Sequence, residues 1–281
     1  MNTFKRIIAA TDLSDCATVA LSYAKAIARK FDAELTLVHA NVIAPITEGV
    51  PADLAYTAVY QLEGARAALD QYAARHLAGV RNAQKLVVTG AAPDVILSTA
   101  RNDGADLIVM GTRGASGIRR LVLGSVAEAV TRRSDIPVLT VQCDLPEASS
   151  ETALFRRILC PVHYDRTSGA AFERAVPLAA SFDAELIVVY VAEESPGVLD
   201  VDMETERLRT WAGGMTTPAK LKLLVDRGNA AEQIISYAKQ HRVDLIVAGS
   251  RRKGSVLGST TEMLTRNAPC PVLTVPVNAE R

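Results

Sequence analysis

The chain has 281 residues, enough for one large domain or two of ordinary size, and its 49% hydrophobic content can supply a core. Its 31 basic and 31 acidic residues balance to a formal net charge of +0, so no global positive field draws in nucleic acid or an anionic membrane. No apolar run reaches the roughly 20 residues that span a bilayer, and the first residues lead into a strand rather than a signal segment. A cytoplasmic location is expected.

Taken in order, the first half alternates strands with helices. Residues 5–10 predict a strand. Residues 14–30 predict a helix capped by Ser14, with Ala17, Ala20, Leu21, Ala24, Ile27 and Ala28 on one face. A strand is expected at 34–40 and a long helix at 54–77, weakened at Gly64. Residues 85–88 follow as a strand, and 93–101 as a helix with Pro93 in its first turn. A buried strand at 107–110, a helix at 125–133 and a strand at 137–141 complete the half. Short apolar strands alternating with helices imply a parallel sheet covered on both faces. Right-handed crossovers restrict this to a doubly wound α/β fold, whose ligands sit beyond the carboxyl ends of the strands at the switch point.

The pattern then repeats. Phe4-Lys-Arg-Ile-Ile8 returns as Phe155-Arg-Arg-Ile-Leu159, and Phe31-Asp-Ala-Glu-Leu35 as Phe182-Asp-Ala-Glu-Leu186. Asp106-Leu-Ile-Val109 returns as Asp244-Leu-Ile-Val247, and Pro137-Val-Leu-Thr-Val141 as Pro271-Val-Leu-Thr-Val275. A period of half the chain means two copies of one domain, not a solenoid. The polar stretch 144–150 is the join, giving domains 1–146 and 152–281.

The segment after the 107–110 strand carries the chemistry. It reads Gly111, two residues, Gly114, nine residues, Gly124-Ser125. Gly111 and Gly114 are expected to turn with positive φ and to admit a ligand close to the main chain. Ser125 is the candidate N-cap of the next helix, with Glu128 at capping-box spacing, and the amides of that helix start suit a phosphate. Arg113, Arg119 and Arg120 add positive charge. The same residues also describe a plain loop before a capped helix. No Gly-Lys-Ser/Thr follows, so this is not a Walker P-loop. The glycines do not follow the first strand, so it is not the Rossmann fingerprint.

This spacing resembles the ATP-binding signature of the universal stress protein family, and Thr11-Asp12 after the first strand fits the same family. The resemblance spans nearly the whole chain twice, specific in the first half and eroded in the second. It implies two tandem Rossmann-like (adenine nucleotide alpha hydrolase-like) domains. Each would have a five-stranded parallel sheet of order 3-2-1-4-5, and the two would pair through strand five as a pseudo-dimer.

The resemblance also implies roles for particular residues. Ala10, Thr11 and Ala40 match positions lining an adenine pocket, and Met110 another adenine-facing position, although the sequence alone favours ordinary core packing for Met110. Asp12 would accept hydrogen bonds from ribose hydroxyls; otherwise it forms an Asx turn into the Ser14 cap. Gly111, Gly114, Gly124 and Ser125 match phosphate-contacting positions, and Val126 a backbone-amide donor. Arg113 either meets the phosphates or is a solvated loop arginine. The implied ligand is ATP, with magnesium accompanying the triphosphate. The implied function is that of a stress-response sensor or regulator, with a protein partner and a homodimer as further expectations. The alternatives are a slow ATP-hydrolysing or adenylyl-transferring enzyme, and an interaction protein with a vestigial site.

Elsewhere the signals are faint. His39 reads as a core or pocket-rim histidine. Cys160 and His163 have C-x-x-H spacing with no second pair, so no metal site is expected. No catalytic Ser/His/Asp or Cys/His set stands out. Cys16, Cys143, Cys160 and Cys270 form no C-x-x-C pair and are expected as small buried apolar residues in a reducing compartment. In the second copy, His163 replaces Asp12, Val162 replaces Thr11 and Arg252 replaces Gly114. The loop between Gly249 and Gly258 is four residues shorter than its counterpart, while Ser259 and Glu262 keep the cap pattern. Arg251, Arg252 and Lys253 could still meet an anion, but no ATP is expected there.

Overall fold

The computed structural model describes residues 4–42, 52–114, 123–148, 154–192, 199–213, 220–251 and 258–277. Arg119, Arg120, Arg252 and Lys253 lie outside the described residues.

The first half runs β1 (Arg6–Thr11), α1 (Asp15–Phe31), β2 (Glu34–Asn41), α2 (Ala52–His76), β3 (Ala83–Thr89), α3 (Ala92–Asn102), β4 (Leu107–Gly111), α4 (Ser125–Arg133) and β5 (Val138–Val141). The second half repeats it as β6 (Arg157–Val162), α5 (Arg166–Phe182), β7 (Glu185–Ala192), α6 (Val201–Gly213), β8 (Leu221–Arg227), α7 (Ala230–Gln240), β9 (Leu245–Arg251), α8 (Ser259–Asn267) and β10 (Val272–Val277). The strands form one sheet in the order β3-β2-β1-β4-β5-β10-β9-β6-β7-β8. Each half has the expected 3-2-1-4-5 order with parallel pairings throughout. The halves meet where β5 pairs antiparallel with β10, Leu139 opposite Leu273. The carboxyl ends of their strands therefore point to opposite edges of the sheet.

The repeated residues explain why both halves fold alike. Ser14 caps α1 by accepting from the Ala17 N–H, and Asp165 caps α5 by accepting from the Ser168 N–H. Asp32 and Asp183 close these helices in left-handed conformation, φ 51° and 52°. The aspartates opening the repeated Asp-Leu-Ile-Val stretches tie strand starts together: Asp106 Oδ2 accepts from Lys5 N–H and Asp244 Oδ2 from Arg156 N–H, both at 2.8 Å. Strand residues on one face pack with α1, α2, α5 and α6 in one continuous core. On the other face the core splits, one part under α3 and α4, the other under α7 and α8. Cover on both faces leaves all four residues of β5 buried, Thr140 included.

The repeated phenylalanines join the halves. Phe4 packs edge-on to Phe31 at 5.6 Å between centroids, Phe31 to Phe182 at 5.8 Å, and Phe182 to Phe155 at 5.1 Å. Four rings thus cross the pseudo-twofold axis, and such edge-to-face pairs add about 0.5–1.5 kcal/mol each beyond their buried area.

The cysteines depart from expectation. Cys16, in the first turn of α1, and Cys143, just beyond β5, are joined by a disulfide. Cys160 and Cys270 are free and buried, as expected, and burial pushes both thiols well above their ordinary range. The sequence separation of 127 residues hid the pair, which only the crossover topology brings together. Among the described residues no helix is long and apolar enough to cross a membrane.

Candidate functional site

A crevice of about 200 Å³ opens beyond the carboxyl ends of β1 and β4, where the strand order switches. Ala10, Thr11, Asp12, Ala40, Met110, Gly111, Arg113, Gly114, Gly124, Ser125 and Val126 all line it. The eleven residues expected from the sequence therefore converge on one place. Val38, His39, Ala92, Ile96, Thr112 and Ala127 also line it. Of these, only His39 stands out in the sequence, because the others look like ordinary core until the α3 and α4 starts are brought over the sheet. His39 sits at the rim, its Nδ1 2.9 Å from the Thr11 carbonyl oxygen. The volume lies below the roughly 300–1,000 Å³ usual for enclosed ligand pockets.

The polar side of the mouth is built from β1 and the loop after β4. Asp12 forms the Asx turn: its Oδ1 accepts from the Ser14 N–H at 3.2 Å and the Ser14 hydroxyl at 2.5 Å. Leu13 in that turn adopts φ 66°, held by its N–H donating to Thr11 Oγ1 at 2.9 Å. The Asx-turn reading of Asp12 is thus met, and its other oxygen lies toward Gly114. A Cβ on Gly114 would lie 2.8 Å from Asp12 Oδ2. The Gly124 N–H donates to the Thr112 carbonyl at 2.7 Å, which closes the loop on itself and sets Arg113 and Gly114 beside the start of α4.

Three expectations need correction. Neither Gly111 nor Gly114 has positive φ; among the described residues the glycines with positive φ are Gly79, Gly90, Gly104 and Gly228. Gly111 and Gly114 serve close approach instead, since a Cβ on Gly111 would sit 2.9 Å from Cys16 Sγ. Ser125 is not the N-cap: Gly124 is, with no capping side chain, and Gly258 rather than Ser259 takes this place in α8. The first-turn N–H groups of α4 therefore have no side-chain acceptor at the cap, and Ser125, Val126 and Ala127 bring them to the crevice. Finally, Arg113 is not a solvated loop residue. Its side chain is 24% exposed, and its guanidinium lies 3.9 Å from the exposed Asp144 carboxylate.

These features fit an adenine nucleotide. Small and apolar side chains leave a slot, a carboxylate stands at the end of β1, and uncapped helix amides with an arginine stand where phosphate charge would be offset.

The equivalent crevice of the second half is larger, about 750 Å³, and its chemistry differs. Pro161, Val162 and Val191 stand where the first half has Ala10, Thr11 and Ala40, and Ala248 replaces Met110. His163, in place of Asp12, stacks on Tyr190 at 6.1 Å between centroids. Tyr190 packs on Tyr164, and Tyr164 on Trp211, with the Arg207 guanidinium 4.5 Å from the Tyr164 ring. Burial and the neighbouring Glu204 carboxylate, which accepts from the Tyr164 hydroxyl, push that phenol up. Cys160 is wholly buried in the core while His163 lines the crevice, so the C-x-x-H pair does not face one site.

Comparison with known proteins agrees with this architecture. The family model described as "Universal stress protein family" matches residues 3–142 and again 154–276. A universal stress protein of Methanocaldococcus jannaschii is 35% identical over 144 residues, 50% of this chain and 84% of that protein. One of Mycolicibacterium smegmatis is 26% identical over 301 residues, 96% of each chain. The crystal structure of a universal stress protein from Archaeoglobus fulgidus superposes with a TM-score of 0.78 at 21% identity, covering 98% of this chain and 99% of that one, and so shares the fold. With both halves matched, the chain belongs to the universal stress protein family.

Proposed function

We propose that this protein binds ATP, with its magnesium ion, in the crevice of the first half and acts as a nucleotide-dependent sensor or regulator in stress adaptation. The observation that carries this reading is the convergence of Asp12, Gly114, Gly124 and the uncapped start of α4 at one switch point of the sheet. In this reading the slot between Ala10, Ala40 and Met110 takes the base. Asp12 Oδ2 faces the ribose hydroxyls, and the α4 amides and Arg113 offset the phosphate charge. Magnesium would neutralise the triphosphate further. Residues 1–146 then form the nucleotide domain, and residues 152–281 carry the altered copy.

A regulatory role is favoured over catalysis by what surrounds the crevice. Among the described residues no group of three His, Cys, Asp or Glu side chains could hold a metal ion. The carboxylate lining the first crevice is Asp12, and its Oδ1 is already engaged by the Ser14 turn. Calorimetric titration of the full chain with ATP and magnesium tests the reading, with one ATP per chain expected. AMP and cyclic AMP as competitors report which part of the nucleotide is read. Absence of ATP binding would overturn the proposal. Turnover of bound ATP within minutes would replace a regulator with an enzyme.

A further inference from the structure

We propose that Cys16 and Cys143 are a reversible dithiol–disulfide switch that sets the order, and so the nucleotide affinity, of the first-half crevice. The affinity clause rests on the proposed ATP reading; the order of the crevice does not. Cys16 lies two residues beyond the Ser14 cap and four beyond Asp12. Cys143 lies two residues beyond Val141, whose carbonyl accepts from the Thr112 N–H at 2.9 Å. Asp144, next in sequence, faces Arg113. The bond passes beneath Gly111, where a Cβ would stand 2.9 Å from Cys16 Sγ and 3.2 Å from the Cys16 carbonyl oxygen. It therefore ties the start of α1, next to Asp12, to the segment after β5, which in turn holds the loop after β4 through Thr112 and Arg113.

Two further observations separate this bond from a general brace. First, the second half has no counterpart: Thr167 and Val277 occupy the corresponding positions. The cross-link accompanies the crevice in which a carboxylate, Asp12, directly follows the first strand, where the second half has His163. Second, the clamped segment is held against a cost. Gln142 is 6% exposed, and neither its Nε2 nor its Oε1 has a hydrogen-bond partner among the described residues. A buried unpartnered amide disfavours the conformation that buries it. Once Cys143 is released, Gln142 can turn to water and carry Asp144 away from Arg113.

The chemistry is ordinary exchange with a dithiol reductant. Its thiolate attacks the Cys143 sulfur, the more exposed of the pair; the Sγ–Sγ bond breaks and Cys16 leaves as a thiolate that takes up a proton. The second thiol of the reductant then displaces Cys143 as its thiolate, which is protonated in turn. Two electrons pass to the protein and the reductant becomes a disulfide. Cys160 and Cys270 stay out of the exchange, because both are buried and burial disfavours their thiolates. Disulfides in reducing compartments are usually of this transient, sensing kind.

The test uses the full chain, oxidised and then reduced by excess dithiothreitol, with Cys143→Ser as a second, permanently open form. Amide hydrogen exchange is read at Leu13, Ser14, Thr112 and Arg113, and ATP affinity by calorimetry. Reduction is expected to speed exchange at these four amides while leaving β7 and β8 unchanged. ATP affinity is expected to fall at least about fivefold, the lower end of typical site coupling. By reciprocity, saturating ATP shifts the glutathione ratio at half-reduction by the same factor. Three results would overturn the proposal: a bond that native protein does not yield to dithiothreitol, unchanged exchange at the four amides, or equal ATP affinity in both forms. If neither form binds ATP, the ligand assignment falls, and the exchange comparison alone decides the switch. Chemical reduction of the unaltered chain keeps the test decisive should Cys143→Ser not fold.

Discussion

The two crevices occupy equivalent places on one sheet, yet they are built to different ends. In the first, the strand ends offer Ala10, Thr11 and Asp12, and the pocket is narrow at about 200 Å³. In the second, Pro161, Val162 and His163 stand there, and the opening is about 750 Å³. What both retain is scaffold: the aspartates that tie strand starts, the left-handed helix ends, and the glycine at matching places in β4 and β9, Gly111 and Gly249. What differs lies in the side chains that face the opening. The comparison teaches which parts of the shared motif serve the fold and which serve a ligand.

The sharpest way to break the comparison is at the helix starts. A Cβ on Gly124 would lie 3.2 Å from the Thr112 carbonyl oxygen and 3.5 Å from the Arg113 Cα, whereas one on Gly258 meets nothing within 4 Å among the described residues. Gly124→Val is expected to abolish ATP binding by pushing the loop off the α4 amides, while Gly258→Val leaves binding unchanged. Calorimetry on both variants decides; normal binding by Gly124→Val would mean that this loop is not the phosphate cradle.

Asp12 comes next in size. Loss of a hydrogen-bond acceptor that carries charge costs about 1.5–3 kcal/mol, or roughly ten- to a hundredfold in affinity. Asp12→Asn should show that loss without harm to the turn, since an amide oxygen still accepts from Ser14. Asp12→Ala should add about 1 kcal/mol of destabilisation through the weakened α1 start. Equal ATP affinity in folded Asp12→Asn would assign the carboxylate to the turn alone.

The glycine shared by β4 and β9 sharpens the fold side of the comparison. A Cβ on Gly249 would stand 2.2 Å from the Thr167 carbonyl oxygen, against 3.2 Å between one on Gly111 and the Cys16 carbonyl oxygen. Gly249→Ala should therefore destabilise by about 1–3 kcal/mol, as overpacking does, and Gly111→Ala by less. Urea unfolding measures both, and the reverse order would contradict the packing role. This shared glycine matches a phosphate-contacting position, yet here its first duty is to let helix and strand meet.

Much of this was legible in the chain. The repeat revealed two copies, and the alternating apolar runs placed every strand of the first half to within two residues. The lining of the first crevice was legible as well, since the glycine spacing and the ends of β1 and β4 pointed to one switch point. Three things were not. The Cys16–Cys143 bond joins residues 127 apart, and only the crossover geometry brings them together. Ser125 has cap chemistry but sits one position inside α4, because Gly124 is already tied to Thr112. The four-ring contact of Phe4, Phe31, Phe155 and Phe182 was visible as repetition, not as an interface, because a repeat does not reveal which of its faces meet.

The smallest expected effect is the most informative about the second half. His163→Asp restores a carboxylate at the end of β6, yet it should not create a second ATP site, and calorimetry should still give one ATP per chain. A neutral imidazole has one acceptor and an imidazolium none, so His163 cannot replace a carboxylate toward a diol. The carboxylate is only part of the difference, however. Ala248 in place of Met110 removes a wall of the slot, and the wider opening leaves one face of a base without contact. Dispersion falls off over fractions of an ångström, so a loosely walled slot gives up much of the stacking that a narrow one provides. Released from Tyr190, the new aspartate would also leave the aromatic stack short of one member. A second equivalent of ATP bound by His163→Asp would show that the carboxylate alone separates the two crevices, and that the width of the pocket does not matter.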